Sequence, residues 1–184
     1  MNFKINLFGK RIMFDFNIRN NRTEYVEGYT NRCNDGKYIV MLDYDRLNID
    51  WVVPELQRLQ EDFALSDFYI FKSSESSYHA VCFDKLLLDD YVTILQNSSV
   101  DRNYLKVPLM YGQKIWTLRI SDKDDVKIKY LFRVLSKSKH MRSKSKAHIE
   151  FLEGLFDNLH YRTDVNDYKL VDKSDKLVFA RYPI

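Results

Sequence analysis

Residues 38–45 read "YIVMLDYD", and the way this run ends decides how the chain is assembled. Apolar side chains lead into two aspartates separated by one tyrosine. Residues two apart on a strand share a face, so Asp43 and Asp45 would stand together and repel each other. Either the strand stops at Asp43 and both acids are solvated in a turn, or a positive group lies between them.

Outward from this run, turn residues and hydrophobic spacing set an order of elements. The turn signal "NDG" at 34–36 starts a strand over 37–42. Asp50 offers an N-cap for a helix carrying Val52, Leu56, Leu59 and Phe63 at helical spacing, and Pro54 is tolerable in its first turn. "DFYIFKS" (67–73) and "YHAVCFD" (78–84) read as a strand hairpin across the polar turn "SSESS". "LLLDDYVTILQN" (86–97) reads as a second helix, with Leu87, Tyr91 and Ile94 or Leu95 on one side. "DRNYLKVPLM" (101–110) and "KIWTLRIS" (114–121) read as two further strands joined across "YGQ". The order β-α-β-β-α-β with an added strand predicts an α+β fold with a ferredoxin-like or RRM-like core, its helices on one face of an antiparallel sheet.

The bulk numbers suit that reading. A chain of 184 residues favours one domain, and 45% hydrophobic with 15% aromatic content is enough to bury a core. The expected organisation is a strand extension over 1–36 and the core over 37–121. A basic helical segment and a C-terminal hairpin over 122–184 pack on the same domain. In the first part "FKINLF" and "RIMFDFNI" read as strands; in the last, Ile149, Leu152, Leu155 and Phe156 form a core-facing helical stripe and "KSD" a hairpin turn. No apolar run approaches the ~20 residues that span a bilayer. Charges interrupt the N-terminus too often for a signal-peptide core. Cys33 and Cys82 suggest neither a zinc site nor a disulfide framework, so a reducing cytoplasm is expected.

In the expected topology the first and third core strands are antiparallel neighbours and the fourth flanks the first. The end of the first, at Asp43 and Asp45, then lies beside the start of the third at His79, with Asp101 at the head of the fourth on its other side. Parity sends Val40, Leu42, Ala80 and Cys82 towards the helices, and Asp43, Asp45, His79 and Val81 to an uncovered face. Hard cations such as Mg²⁺ take carboxylate oxygens and keep phosphate or water as further ligands. Two such ions can clamp the attacking and leaving oxygens of a phosphoryl transfer. Taken singly, each residue has an ordinary reading as a turn acid or a surface histidine. Only their joint placement favours a site.

With "LDYD" (42–45), "SYH" (77–79) and the hydrophobic-acid step Val100–Asp101, the chain resembles the archaeo-eukaryotic primase superfamily over roughly residues 37–121. The resemblance implies a minimal primase or primase-polymerase of the viral or plasmid kind, a nucleotidyltransferase using two Mg²⁺ or Mn²⁺ ions. Asp43, Asp45 and Asp101 would be the catalytic metal ligands, and Ser77 and His79 would meet the phosphates of the incoming nucleotide. Asp122 competes for the third acid, although its place before "DKDDVKIKYLF" suits a helix N-cap. Lys72 and Arg119 lie on strands from which a cation reaches the same face or its rim, to hold phosphate or simply to be solvated.

From Val126 to Ile149 there are eight Lys or Arg residues, two His and no acid. Such a block is either a solvated face or a contact for phosphate backbone, and in the second case Lys137, Lys139, Arg142, Lys144 and Lys146 would hold it. The expected partners are a single-stranded DNA or RNA template, nucleoside triphosphates and a helicase or other replication protein, with no membrane. The place would be the cytoplasm, the host's if the chain is viral. Two alternatives stand beside this. A non-catalytic RRM-like single-strand binder wants aromatics on the central strands. A replication-initiator nickase wants a His-x-His motif, and the chain has none.

Overall fold

The apolar run at 38–42 becomes a strand because both of its faces are covered. The computed structural model describes residues 2–7, 10–15, 25–122, 126–137, 142–161 and 171–183. Through them run β1 (Asn2–Leu7), β2 (Lys10–Asp15), β3 (Tyr25–Thr30), β4 (Tyr38–Tyr44), α1 (Ile49–Phe63), β5 (Phe68–Lys72), β6 (Tyr78–Leu86), α2 (Leu88–Gln96) and α3 (Arg102–Met110). Then follow β7 (Thr117–Arg119), β8 (Lys129–Val134), β9 (Lys144–Ser145), α4 (Lys146–Leu155), β10 (Val171–Asp172) and β11 (Phe179–Pro183). The fold is α+β, and among the described residues no helix is long and apolar enough to cross a membrane.

β6 is the axis of the main sheet. It pairs antiparallel with β4 on one edge and with β5 on the other; β8 lies outside β5, and β9 continues the second edge where Lys144 meets Asp84. The stretch β4-α1-β5-β6-α2 is therefore the predicted β-α-β-β-α unit. Its helical face packs Val40, Leu42, Ala80 and Cys82 against Val52, Leu56 and Leu59 of α1 and Tyr91, Ile94 and Leu95 of α2. Leu87, expected on the buried side of α2, is instead its exposed N-cap residue. α1 starts two residues earlier than expected: Asn48, not Asp50, is its N-cap, accepting from the Asp50 N–H at 3.0 Å.

The other sheet face, expected to be open, is buried. Ile39, Met41, Tyr69, Phe71, Val81 and Phe83 pack against Leu118 of β7 and Ile149 and Leu152 of α4. β7 is not a flanking strand of the main sheet; it joins β3 and β11 in a separate antiparallel sheet. The C-terminal hairpin is likewise absent as drawn, since β10 pairs with β9 and β11 with β3. β1 and β2 form their own hairpin.

Residues 101–110 are helix, not the fourth strand. The outer edge of β4 has other partners. The Tyr91 and Tyr104 hydroxyls both donate to the Met41 carbonyl, at 2.7 and 3.1 Å. The Asp101 N–H donates to the Asp43 carbonyl at 2.8 Å, and the Ile39 N–H to the Asn31 carbonyl at 2.9 Å. Side chains and single backbone bonds thus satisfy an edge that a neighbouring strand would otherwise fill. The region after Asp122 is also not helical where it is described: it leads into β8.

Candidate functional site

Asp43 and His79 are direct cross-strand partners at the end of the β4–β6 ladder. Both have the parity of Met41 and Val81, so they stand on the face covered by β7 and α4. His79 is buried, whereas the Asp43 side chain keeps 27% exposure, so solvent reaches that face here. Asp43 Oδ1 lies 3.5 Å from His79 Nε2, too long for a strong hydrogen bond. Burial pushes the His79 imidazole down to about 3, and the positive charge of Arg119 acts in the same direction. At neutral pH the imidazole is therefore uncharged, and the pair is a carboxylate beside a neutral ring rather than a salt bridge.

Arg119, at the end of β7, supplies the cation. Its guanidinium donates to the carbonyls of Ser73 and Ser121, which holds it over the start of the β5–β6 hairpin. Ser77 closes that hairpin, its carbonyl accepting from the Ser73 N–H at 3.0 Å. Tyr104 of α3 lies on the other side of the corner. Burial raises its phenol pKa well above the usual value, and the charges of Tyr91 and Asp43 add to that.

The acids answer the question posed by "LDYD". β4 ends at Tyr44, so Asp45 lies beyond the ladder, exposed, in a turn that continues through Arg46 at φ 56°. The two carboxylates do not share a strand face. Asp101 has a different task from the one expected. Its Oδ1 accepts from the Asn103 and Tyr104 N–H groups at 2.8 and 3.0 Å, making it the N-cap of α3. Glu55 of α1 anchors the loop before it, accepting from the Ser99 N–H at 2.8 Å and from the Tyr44 hydroxyl at 2.9 Å. The carboxylates of Asp43, Asp45 and Asp101 are not within reach of one ion. Asp43 and Asp45 suit Mg²⁺ or Mn²⁺ in donor chemistry, but Asp101 does not complete the set.

Lys72 belongs to the opposite face. It pairs in register with Tyr78, which lies with Tyr44 in the helix-side core. Part of the basic block is taken up by the fold. Lys144 is buried with Nζ 3.6 Å from Asp84 Oδ1. Arg142 donates to the Phe63 and Ala64 carbonyls at the C-terminus of α1, where a cation suits the helix dipole. Lys146 pairs with Glu150 one turn along α4. Lys137 is exposed, and Lys139 lies outside the described residues.

Comparison with protein-family models, curated proteins and solved structures gave no match.

One polar centre was not expected. The Lys85 ammonium is fully buried and lies 2.7 Å from Asp172, 2.9 Å from Asp175 and 3.1 Å from Asp35. Burial alone would lower its pKa, but these carboxylates outweigh it and hold the group charged. Cys33, Asp35 and Asp175 have ligand atoms within 4.8 Å of one another, a spacing that would suit a metal ion. The ammonium already supplies a cation to two of the three. Burial, with the Asp175 charge, pushes the Cys33 thiol up to about 12, so it stays protonated. The sequence signal is the pair Asp84–Lys85 within an apolar run: adjacent strand residues face opposite ways, so each needs its own buried partner.

Proposed function

We propose that the chain is a nucleotidyltransferase of the primase or primase-polymerase type, joining nucleoside triphosphates on a single-stranded template. The observation that carries the reading is the corner formed by Asp43, His79 and Arg119 at a solvent-reaching end of a largely buried sheet face. A carboxylate, an uncharged imidazole and a guanidinium are suited to a triphosphate that arrives with its counter-cation. The neutral His79 ring can donate one N–H to a phosphate oxygen without having to lose a proton. Arg119 adds a planar, permanently charged donor set that matches phosphate geometry. Tyr104 closes the third side.

The reaction in this reading is attack of a primer 3′-hydroxyl on the α-phosphate, with pyrophosphate leaving. The protein's share is to position the triphosphate and stabilise charge on its oxygens. A divalent ion held at Asp43 would supply charge neutralisation there. Because Asp101 is committed to α3, any further ligands would come from the triphosphate or water. A base-stacking platform on the central strands is not favoured, because Ile39, Met41, Val81 and Phe83 are buried.

The test is primer synthesis on single-stranded DNA with labelled nucleotides and Mg²⁺ or Mn²⁺. Wild type is expected to make short products, and Asp43→Ala/Asp45→Ala to make none. Equal product from both would refute the assignment of this corner.

A further inference from the structure

The cations that the sequence singles out for phosphate backbone are mostly engaged elsewhere, yet an unengaged set stands a few residues upstream. β8 is an edge strand: among the described residues it pairs only with β5. Lys129 stands directly opposite Lys72 in that pairing. Like charges directly opposite on one sheet face destabilise it, and neither ammonium has an ion-pair or hydrogen-bond partner among the described residues. Lys127 and Lys137, both exposed, flank the strand.

A bulge adds an aromatic ring to these cations. The register slips between Ile70 and Phe71, so Tyr130 faces Phe71 while Phe132 faces Ile70, and Leu131 is the extra residue. Without the bulge, Lys129 and Phe132 would point to opposite faces. With it, Phe132 stands on the face of Lys129 and Lys72, and it is 40% exposed. Among the described residues the acid paired with a β8 cation is Asp67, 3.3 Å from Arg133 on the other face.

We propose that β8 and its helix-side face form a track for single-stranded nucleic acid, with Lys72 and Lys129 on phosphates, Phe132 stacking on a base, and Lys127 and Lys137 extending the contact. Cations without an acidic partner among the described residues, with an exposed ring among them, are the combination that single strands use, phosphate attraction plus sequence-tolerant stacking. An acidic protein segment would be drawn to the charges but would gain less from the ring. The inference rests on the reading that the chain works on nucleic acid, and it places the template strand.

The experiment is fluorescence anisotropy with a labelled 20-nucleotide oligothymidylate at two salt concentrations, using the full chain. Lys72→Glu/Lys129→Glu is expected to weaken binding at least tenfold. Lys72→Gln/Lys129→Gln should reduce the log–log salt slope by about 1.4, two contacts at about 0.7 each. Phe132→Ala should weaken binding about fivefold or more, and Lys173→Glu, away from the track, should leave it within twofold. Far-UV circular dichroism and melting check that each variant folds. Wild type that does not bind, a double variant within twofold of wild type, or polyglutamate competing as well as the oligonucleotide would each overturn the proposal. Oligonucleotide bound through β8 with no primer synthesis would sink the catalytic reading and leave the track. Primer synthesis with unchanged binding in the double variant would do the reverse.

Discussion

Lys85 Nζ lies 2.9 Å from Asp175 Oδ2, and neither side chain is exposed to solvent. Through this pair and through Asp172, the segment that begins at β10 is fastened to the central strand β6. Removing the ammonium would leave buried carboxylate without a counter-charge, which costs far more than losing a surface ion pair. Lys85→Met is therefore expected to lower unfolding free energy by about 3–5 kcal/mol. Urea denaturation monitored by fluorescence checks this, and Lys85→Met/Asp175→Asn should recover part of the loss.

His79 makes stability depend on pH in a defined direction. Its folded pKa, pushed down to about 3, lies below the ordinary value near 6.5. The unfolded chain thus binds a proton that the folded chain refuses. The contribution is complete above about pH 6.5 and is lost as pH falls towards 3, with a slope of up to about 1.4 kcal/mol per pH unit. The burial-lowered pKa of His148 adds a loss of the same sign. Denaturation at pH 7.5, 6.5 and 5.5 should show the decline, and His79→Asn should make it shallower.

Asp101 separates two roles that are easily confused. As the N-cap of α3, its replacement by alanine should cost about 1 kcal/mol and spare most primer synthesis. Asp101→Ser, which can still cap, should restore stability. A metal ligand would behave differently, with Asp101→Ser as inactive as Asp43→Ala. Melting curves run beside the primer assay decide between them.

The Met41 carbonyl, accepting from both Tyr91 and Tyr104, gives a fourth expectation. Tyr91→Phe or Tyr104→Phe alone leaves one donor and should cost about 1 kcal/mol or less. The double variant strands a buried carbonyl on the β4 edge and should cost more than the sum, by about 1–3 kcal/mol for the unsatisfied group. A double-variant cycle measures the difference.

Arg142 tests what became of the basic block. With its guanidinium on the last carbonyls of α1, Arg142→Ala should destabilise the fold by about 1 kcal/mol and leave oligonucleotide affinity within twofold. A tenfold loss of affinity at unchanged stability would return it to the role the sequence suggested.

The sequence by itself determined the α+β class, the order β4-α1-β5-β6-α2, and the side of the sheet on which each β4 and β6 residue lies. These follow from periodicities of two and 3.6, which are local properties of the backbone. Asp43 beside His79 was legible for the same reason, since it needs only parity and an antiparallel pair. The tertiary structure alone decided what covers the second face. The expectation of an open second face failed although the unbroken apolar runs "YIVML" and "FYIF" are the pattern of strands covered on both sides; which elements cover them only the packing of β7 and α4 shows. Nor could spacing show that Asp101 caps a helix while the described stretch after Asp122 runs into β8, because "DRNYLKVPLM" suits either conformation until Tyr104 finds the Met41 carbonyl. The basic block shows the same limit: charge can be counted along a chain, but whether Lys144 meets water or Asp84 depends on a strand sixty residues away.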